Sequence, residues 1–294
     1  FHVAAGHQFS CAILSGGRLR CWGFNADGQL GKNDTVNVSD GIGPDIETIT
    51  DVPVGVGVSQ IAPSALHNCA LLTDGQVRCW GSGATGRLGY GDTNNVGNGV
   101  GVSIQAKGNV PVDSTGTVIQ IATGSDHTCA LLSDGQVRCW GPGTNGMLGY
   151  DSTSDVGSGA APFNNISDAG DVPVGGRVIQ LSLGTTHSCA LLSTGAVRCW
   201  GSGAGGKLGH DSVANIGDGV GQTIATAGDI PLGGTAVQIT AGPNHTCALL
   251  TTGAIRCWGM GTLGRLGYNN TANVGDGGTS IIQAGDVPVG GKAV

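Results

Sequence analysis

Ten cysteines supply the most regular chemistry in this chain. They form five pairs, Cys11 and Cys21, Cys69 and Cys79, Cys129 and Cys139, Cys189 and Cys199, Cys247 and Cys257, all with the same internal spacing. Such a set, with none left over, is suited to oxidation to disulfides. Metal binding is the competing chemistry, because His67, His127, His187 and His245 each stand two residues before the first cysteine of a pair. Zinc sites need four ligands and close ligand pairs two to four residues apart. The cysteines here are too distant from each other, and the first unit carries Phe9 where the others carry His. The histidines therefore read as structural groups hydrogen-bonded to nearby backbone, and no metal site is expected.

Three further sets recur at one phase. The tetrapeptide Arg-Cys-Trp-Gly places Arg20, Arg78, Arg138, Arg198 and Arg256 two residues before Trp22, Trp80, Trp140, Trp200 and Trp258. A guanidinium at this place suits stacking on an aromatic ring or pairing with a turn carboxylate, and the indoles suit packing between repeated units. The chain's three tyrosines, Tyr90, Tyr150 and Tyr268, all follow a Gly-x-Leu-Gly element, with His210 at the same place in the fourth unit and Lys32 in the first. Three residues earlier stand Gln29, Arg87, Met147, Lys207 and Arg265, which differ between units. Tyr90, Tyr150, His210, Tyr268, Arg87, Lys207 and Arg265 thus make a candidate binding rim, since tyrosine adds contact area at little entropic cost. The alternative is that each tyrosine anchors its own long loop. The acidic loops, such as DSVANIGDG from Asp211, lack calcium-hand spacing and read as Asx turns rather than a calcium site, so no cofactor is expected. Asn33 and Asn37 are the sequons best placed for glycosylation, in a polar loop. No nucleophile motif, phosphate loop or carboxylate pair marks the chain as an enzyme.

These residues sit in five copies of one unit. First cysteines are 58, 60, 60 and 58 residues apart, a period that belongs to solenoids, propellers or arrays. Each unit holds short runs rich in Val, Ile, Leu, Thr and Trp, such as VIQIA, HTCALL, QVRCWG and DVPVG, bounded by Gly, Pro, Asp and Asn. That is a strand signature, and four strands per unit repeated radially is the propeller pattern. Ser133-Asp134-Gly135 reads as a three-residue hairpin loop with glycine in the left-handed region. Counting back from Leu132 opposite Gln136 sets Cys129 across from Cys139, and opposed β-carbons are close enough to bridge. Phe1 and Val294 both match the phase of Val237, so five whole periods are present, as a closed ring requires. The expectation is an all-β, five-bladed propeller of four-stranded antiparallel blades with one disulfide per blade. It is a single domain, 1–294, with repeats near 1–57, 58–117, 118–177, 178–235 and 236–294.

The segment IATGSDHTCALLSDGQVRCWGPGTNGMLG, 121–149, resembles the repeat of the regulator of chromosome condensation family. Ile121, Ala122, Thr123, Gly124, His127, Thr128 and Leu131 match that family's signature. So do Asp134-Gly135, Trp140-Gly141 and Gly146-Met147-Leu148-Gly149. The likeness recurs in every unit outside the long loops. It implies a β-propeller and little about activity, since members include nucleotide-exchange factors for small GTPases and an inhibitor of β-lactamases. Two features depart from the family: five units of about sixty residues rather than seven of about fifty, and the cysteine pair itself.

Paired cysteines point to an oxidising compartment, hence an extracellular or cell-surface location. A net charge of −7 with no basic stripe argues against nucleic-acid binding. No apolar run reaches membrane-spanning length, which argues against membrane insertion. The functional expectation is a secreted, non-enzymatic scaffold that binds a protein or other macromolecule through its long-loop face. The alternative is a self-assembling structural or surface-coat subunit whose partners are copies of itself.

Overall fold

The computed structural model describes residues 2–55, 57–112 and 116–293. Phe1 and Val294, on which the ring-closure phase rests, lie outside the described residues. Five antiparallel sheets follow one another along the chain. The first joins β1 (His2–Ala5), β2 (Phe9–Ile13) and β3 (Leu19–Gly23). The second joins β4 (Val58–Pro63), β5 (His67–Leu72) and β6 (Val77–Gly81), and the third β7 (Val118–Thr123), β8 (Thr128–Leu132) and β9 (Val137–Trp140). The fourth joins β10 (Val178–Leu183), β11 (His187–Leu192) and β12 (Val197–Gly201), and the fifth β13 (Ala236–Ala241), β14 (His245–Leu250) and β15 (Ile255–Gly259). Contacts group the chain into two compact units. One comprises Phe1–Ser133, Arg138–Pro142 and Asp155–Gly170, and the other Asp134–Val137, Gly143–Ser154 and Asp171–Val294.

The central hairpin follows from its turn residues. In the second repeat Gly75 adopts φ +81°, a left-handed conformation that costs glycine nothing. Its N–H donates to the Leu72 carbonyl, while the Asp74 carboxylate accepts from the Gln76 N–H. This turn sets Leu71 against Val77 and Cys69 against Cys79. The same register places Cys11 opposite Cys21, Cys189 opposite Cys199 and Cys247 opposite Cys257. All five pairs are disulfide-bonded within their own hairpin, with Cα atoms 4.1 Å apart.

The sheets have three strands, where the sequence led us to expect four. The Val-Pro-Val segment makes one ladder bond and then turns away. Val110 N–H donates to the Val77 carbonyl at 2.8 Å, and Val112 N–H folds back on the Val110 carbonyl at 2.8 Å. That is a three-residue γ-turn centred on Pro111. Proline has no N–H to continue a ladder, so the segment stops being a strand where it begins. Pro53, Pro173, Pro231 and Pro288 centre the same turn in the other repeats. A single turn of helix precedes the segment in repeats two to five: α1 (Ile104–Lys107), α2 (Ile166–Ala169), α3 (Ile224–Ala227) and α4 (Ile281–Ala284). Ser103, Thr223 and Ser280 cap three of these by accepting a backbone N–H. Their first isoleucines are all buried.

Sheet-to-sheet packing repeats within each unit. Trp80, Trp140, Trp200 and Trp258 are fully buried. Trp80 Nε1 donates to the Gln29 carbonyl of the preceding repeat at 2.9 Å, and Trp258 Nε1 to the Lys207 carbonyl at 3.1 Å. β1 is largely exposed, Trp22 is half-buried, and β14 is buried at alternate residues where β5 and β11 are buried throughout.

Candidate functional site

The long loop of each repeat contains a tight turn built by one polar side chain, an Asx residue in four repeats and a serine in the third. Asp40 Oδ1 accepts from the N–H groups of Ile42 and Gly43 at 3.0 and 2.7 Å. Asn98 Oδ1 accepts from Val100 and Gly101, and Asp218 Oδ1 from Val220 and Gly221. Asp276 Oδ1 does the same for Gly278, and Ser158 Oγ for Ala160. A side-chain acceptor two residues back replaces the backbone acceptor of an ordinary turn and fixes the tip. The Gly43 and Ile42 donors hold the Asp40 carboxyl below the usual range. At Asp218 burial pushes upward, but the Val220 and Gly221 donors and Asn215 prevail and hold it low.

The residue displayed by this turn is apolar and almost wholly in water. Ile42 is 95% exposed, Val100 93% and Val220 91%, with Ala160 and Gly278 at the same phase. Single exposed aliphatics are ordinary. Three β-branched ones stand at one phase, each held out by a dedicated turn. The loops are seated firmly beneath these tips. In the first unit the Asn98 backbone lies against Gly28 and that of Ser158 against Gly86, so that a β-carbon on either glycine would meet it at 2.5–2.6 Å. In the second unit the Asp218 and Asp276 backbones pack on Gly146 and Gly206 in the same way. Sequence reasoning missed these tips, although their fixed distance from the first cysteine was visible.

The residues expected to form a rim each have partners of their own or are partly buried. Tyr90 Oη lies 3.1 Å from the carbonyls of Cys79 and Gly108 and accepts from the Cys79 N–H. The Lys107 ammonium stands 5.0 Å from its ring centroid. Burial pushes the Tyr90 phenol up to about 12. Tyr268 makes the same hydroxyl contacts with Cys257 and Gly285. Each of these tyrosines therefore ties the end of its own long loop to the third strand. Tyr150 is half-buried at the same phase, as is His210, whose imidazole burial holds below its usual range.

Arg87 is only 8% exposed and pairs with Asp126 at 2.7 Å, and Lys207 is 3% exposed, with Nζ 3.1 Å from Thr186 Oγ1 and 3.4 Å from Asn244 Oδ1. Arg265 is half-buried and its Nε donates to the Thr262 carbonyl. Arg87 and Lys207 are thus buried and Arg265 partly so. Of the sequons, Asn33 is exposed at φ 61°, and the Asn37 amide donates to Asp40.

The strand arginines pair with turn groups, as the sequence suggested. Arg20 meets Asp51 at 2.8 Å, Arg198 meets Asp229 at 2.7 Å and Arg256 meets Asp286 at 3.0 Å. These carboxylates lie just before each Val-Pro-Val turn, so each arginine pins the returning chain. The histidines bond side chains rather than the backbone expected. His67 Nδ1 is 2.9 Å from Ser64 Oγ, and its Nε2 is 2.9 Å from Thr128 Oγ1 of the next repeat. Burial drives His67 and His127 down to about 3, so both are neutral. Among the described residues no cluster of His, Cys, Asp and Glu could hold a metal ion, and no helix is long and apolar enough to cross a membrane.

Comparison with known proteins bears on this geometry. A family model described as the regulator of chromosome condensation (RCC1) repeat matches residues 2–29, 58–87, 118–146, 178–206 and 236–265. A second model with that description matches residues 74–131. The ultraviolet-B receptor UVR8 of Arabidopsis thaliana is 27% identical, over 91% of this chain and 67% of its own length. The mitochondrial RCC1 domain-containing protein RUG3 of the same plant is 28% identical, over 87% of this chain and 53% of its own. Among solved structures, human WBSCR16 aligns with a TM-score of 0.71 at 22% identity, over 99% of this chain and 68% of that one. Prp20p of Saccharomyces cerevisiae, described with its binding to Gsp1p and histones, aligns at 0.65 and 21%, over 92% and 60%. At such identities the structural likeness concerns the fold.

Proposed function

We propose that this chain, which belongs to the RCC1 repeat family, is a non-enzymatic scaffold that binds a protein partner through its long-loop tips. The observation that carries this reading is the recurrence of Ile42, Val100 and Val220, each more than 90% exposed and held by an Asx turn. Rigid aliphatic points lose little entropy on binding and gain roughly 25 cal/mol for each Å² of apolar surface covered. A Tyr-anchored loop base keeps them in place, so the tyrosines serve recognition by positioning the loops. Prp20p, a protein of similar fold, binds Gsp1p and histones, which supports protein binding as the class of activity. The five disulfides support a working place in an oxidising compartment, at the cell surface or outside the cell.

The test is affinity capture of a partner from the native extracellular fraction, followed by titration of the purified pair. Replacing Ile42, Val100 and Val220 together by Ser should leave the melting temperature within about 2 °C and weaken binding at least tenfold. An unchanged affinity would remove the loop tips as the contact surface.

A further inference from the structure

Asn-Gly occurs twice in this chain, at Asn98-Gly99 and Asn145-Gly146. The pair is chemically labile, because the backbone nitrogen of the glycine can attack the side-chain amide carbon of the asparagine. Glycine permits the approach, since it has no β-carbon beside its nitrogen. The fold treats the two pairs differently. Asn145 is held at φ 58° and ψ 16° inside a short helical turn. The Gly146 N–H donates to the Gly143 carbonyl at 2.9 Å, and Gly146 is buried against the backbone of Gly217 and Asp218. Its nitrogen is therefore committed, and shielded from the solvent that must take its proton.

Asn98-Gly99 has the opposite setting. Asn98 is half-buried and Gly99 exposed, at the long-loop tip of the second repeat. Among the described residues the Gly99 N–H donates to no acceptor. The Val100 and Gly101 N–H groups donate to Asn98 Oδ1 at 3.2 and 2.9 Å. They lie where negative charge gathers when a nucleophile adds to the side-chain carbonyl, an arrangement that stabilises an oxyanion. A β-carbon on Gly99 would meet the Asn33 carbonyl at 2.7 Å. Packing therefore requires at this place the one residue that makes the pair labile. The same phase carries Asp40-Gly41, Asp218-Gly219 and Asp276-Gly277. Their carboxylates accept from the N–H groups of the same turn, so the turn also accommodates an aspartate.

We propose that Asn98 is a site of spontaneous deamidation, which converts the tip of the second repeat from neutral to anionic. The Gly99 nitrogen forms a bond to Asn98 Cγ, the Cγ–Nδ2 bond breaks, and ammonia leaves with the proton of the Gly99 N–H. The product is a cyclic succinimide, which water then opens. Addition of water at Cγ gives an aspartyl residue, which the turn holds as it holds Asp40 and Asp218. Addition at the α-carbonyl gives an isoaspartyl link, which lengthens the main chain by one methylene and displaces Val100. Water is the only co-reactant, and nothing is oxidised or reduced. This chemistry goes beyond the binding reading and proceeds whether or not the tips meet a partner.

The test incubates the oxidised 294-residue chain for weeks at mildly alkaline pH and maps its peptides by mass spectrometry. Electron-transfer fragmentation tells aspartyl from isoaspartyl products. A second sample is kept reduced and unfolded in guanidinium at the same pH. In the folded chain the Asn98 peptide should deamidate at least tenfold faster than the Asn145 peptide. In the unfolded chain the two should react at comparable rates, because both are then bare Asn-Gly pairs. Asn98→Asp should melt within about 2 °C of the parent, since the carboxylate accepts the same N–H groups. An Asn98 that stays intact in the folded chain while the unfolded one deamidates overturns the proposal. So does an Asn145 that keeps pace with Asn98 in the folded chain, because the fold would then select neither. An Asn98→Asp chain that melts well below the parent would show that the turn rejects the aspartyl product, which also overturns it.

Discussion

Burial without charge compensation decides how the histidines behave. His67 and His127 accept a proton near 6.5 in the unfolded chain but resist protonation down to about 3 when folded. Their contribution to stability is therefore complete above pH 6.5 and is lost as pH falls from 6.5 toward 3. Each histidine contributes a slope of about 1.4 kcal/mol per pH unit within that window. Urea midpoints should fall steadily below pH 6.5, and His67→Gln should remove about half of the part due to these two residues. A variant with the parent's pH dependence would count against the neutral, buried imidazole. The residue scale is also where sequence reading was weakest. The phase of Tyr90 was legible, but its hydroxyl contacts with Cys79 and Gly108 depend on how an eighteen-residue loop returns. Ile42, Val100 and Val220 were overlooked because an isolated aliphatic among glycines belongs to no strand period. Arg87 and Lys207 looked like surface residues, yet tertiary partners bury them.

At the scale of the element, the hairpin is the most legible part of the chain. An Asp-Gly turn and a constant spacing fix the register, and the register fixes the disulfide. The fourth strand failed for an equally local reason, since each proline had been counted as part of a strand whose ladder it ends. The disulfide prediction belongs here. Closing a loop of this size restricts the unfolded chain by about 3 kcal/mol. Replacing Cys129 and Cys139 together by Ala should lower stability by about that amount in urea unfolding under oxidising conditions. Because the bridge joins two residues already paired in one ladder, the loss should fall on the third repeat. A double variant as stable as its parent would show that the turn and the buried Trp140 already fix the hairpin.

At the scale of the whole molecule, repetition makes stability a sum of units and their neighbours, so a sheet with one neighbour should open before a sheet with two. The burial patterns give this gradient a direction within each compact unit. In the first, the second sheet packs against both the first and the third, and β5 is buried throughout, whereas β1 is largely exposed. In the second, β11 is buried throughout while β14 is covered at alternate residues. Local opening energies follow such differences in buried apolar contact. Hydrogen exchange read by mass spectrometry on dilute protein should therefore find β1 fastest and β5 slowest in the first unit, with β11 slower than β14 in the second. The ordering is a property of neighbours, because the sequences of β11 and β14, HSCALL and HTCALL, differ at one position. Equal protection of these two strands would mean that burial by neighbours does not set the order in which they open.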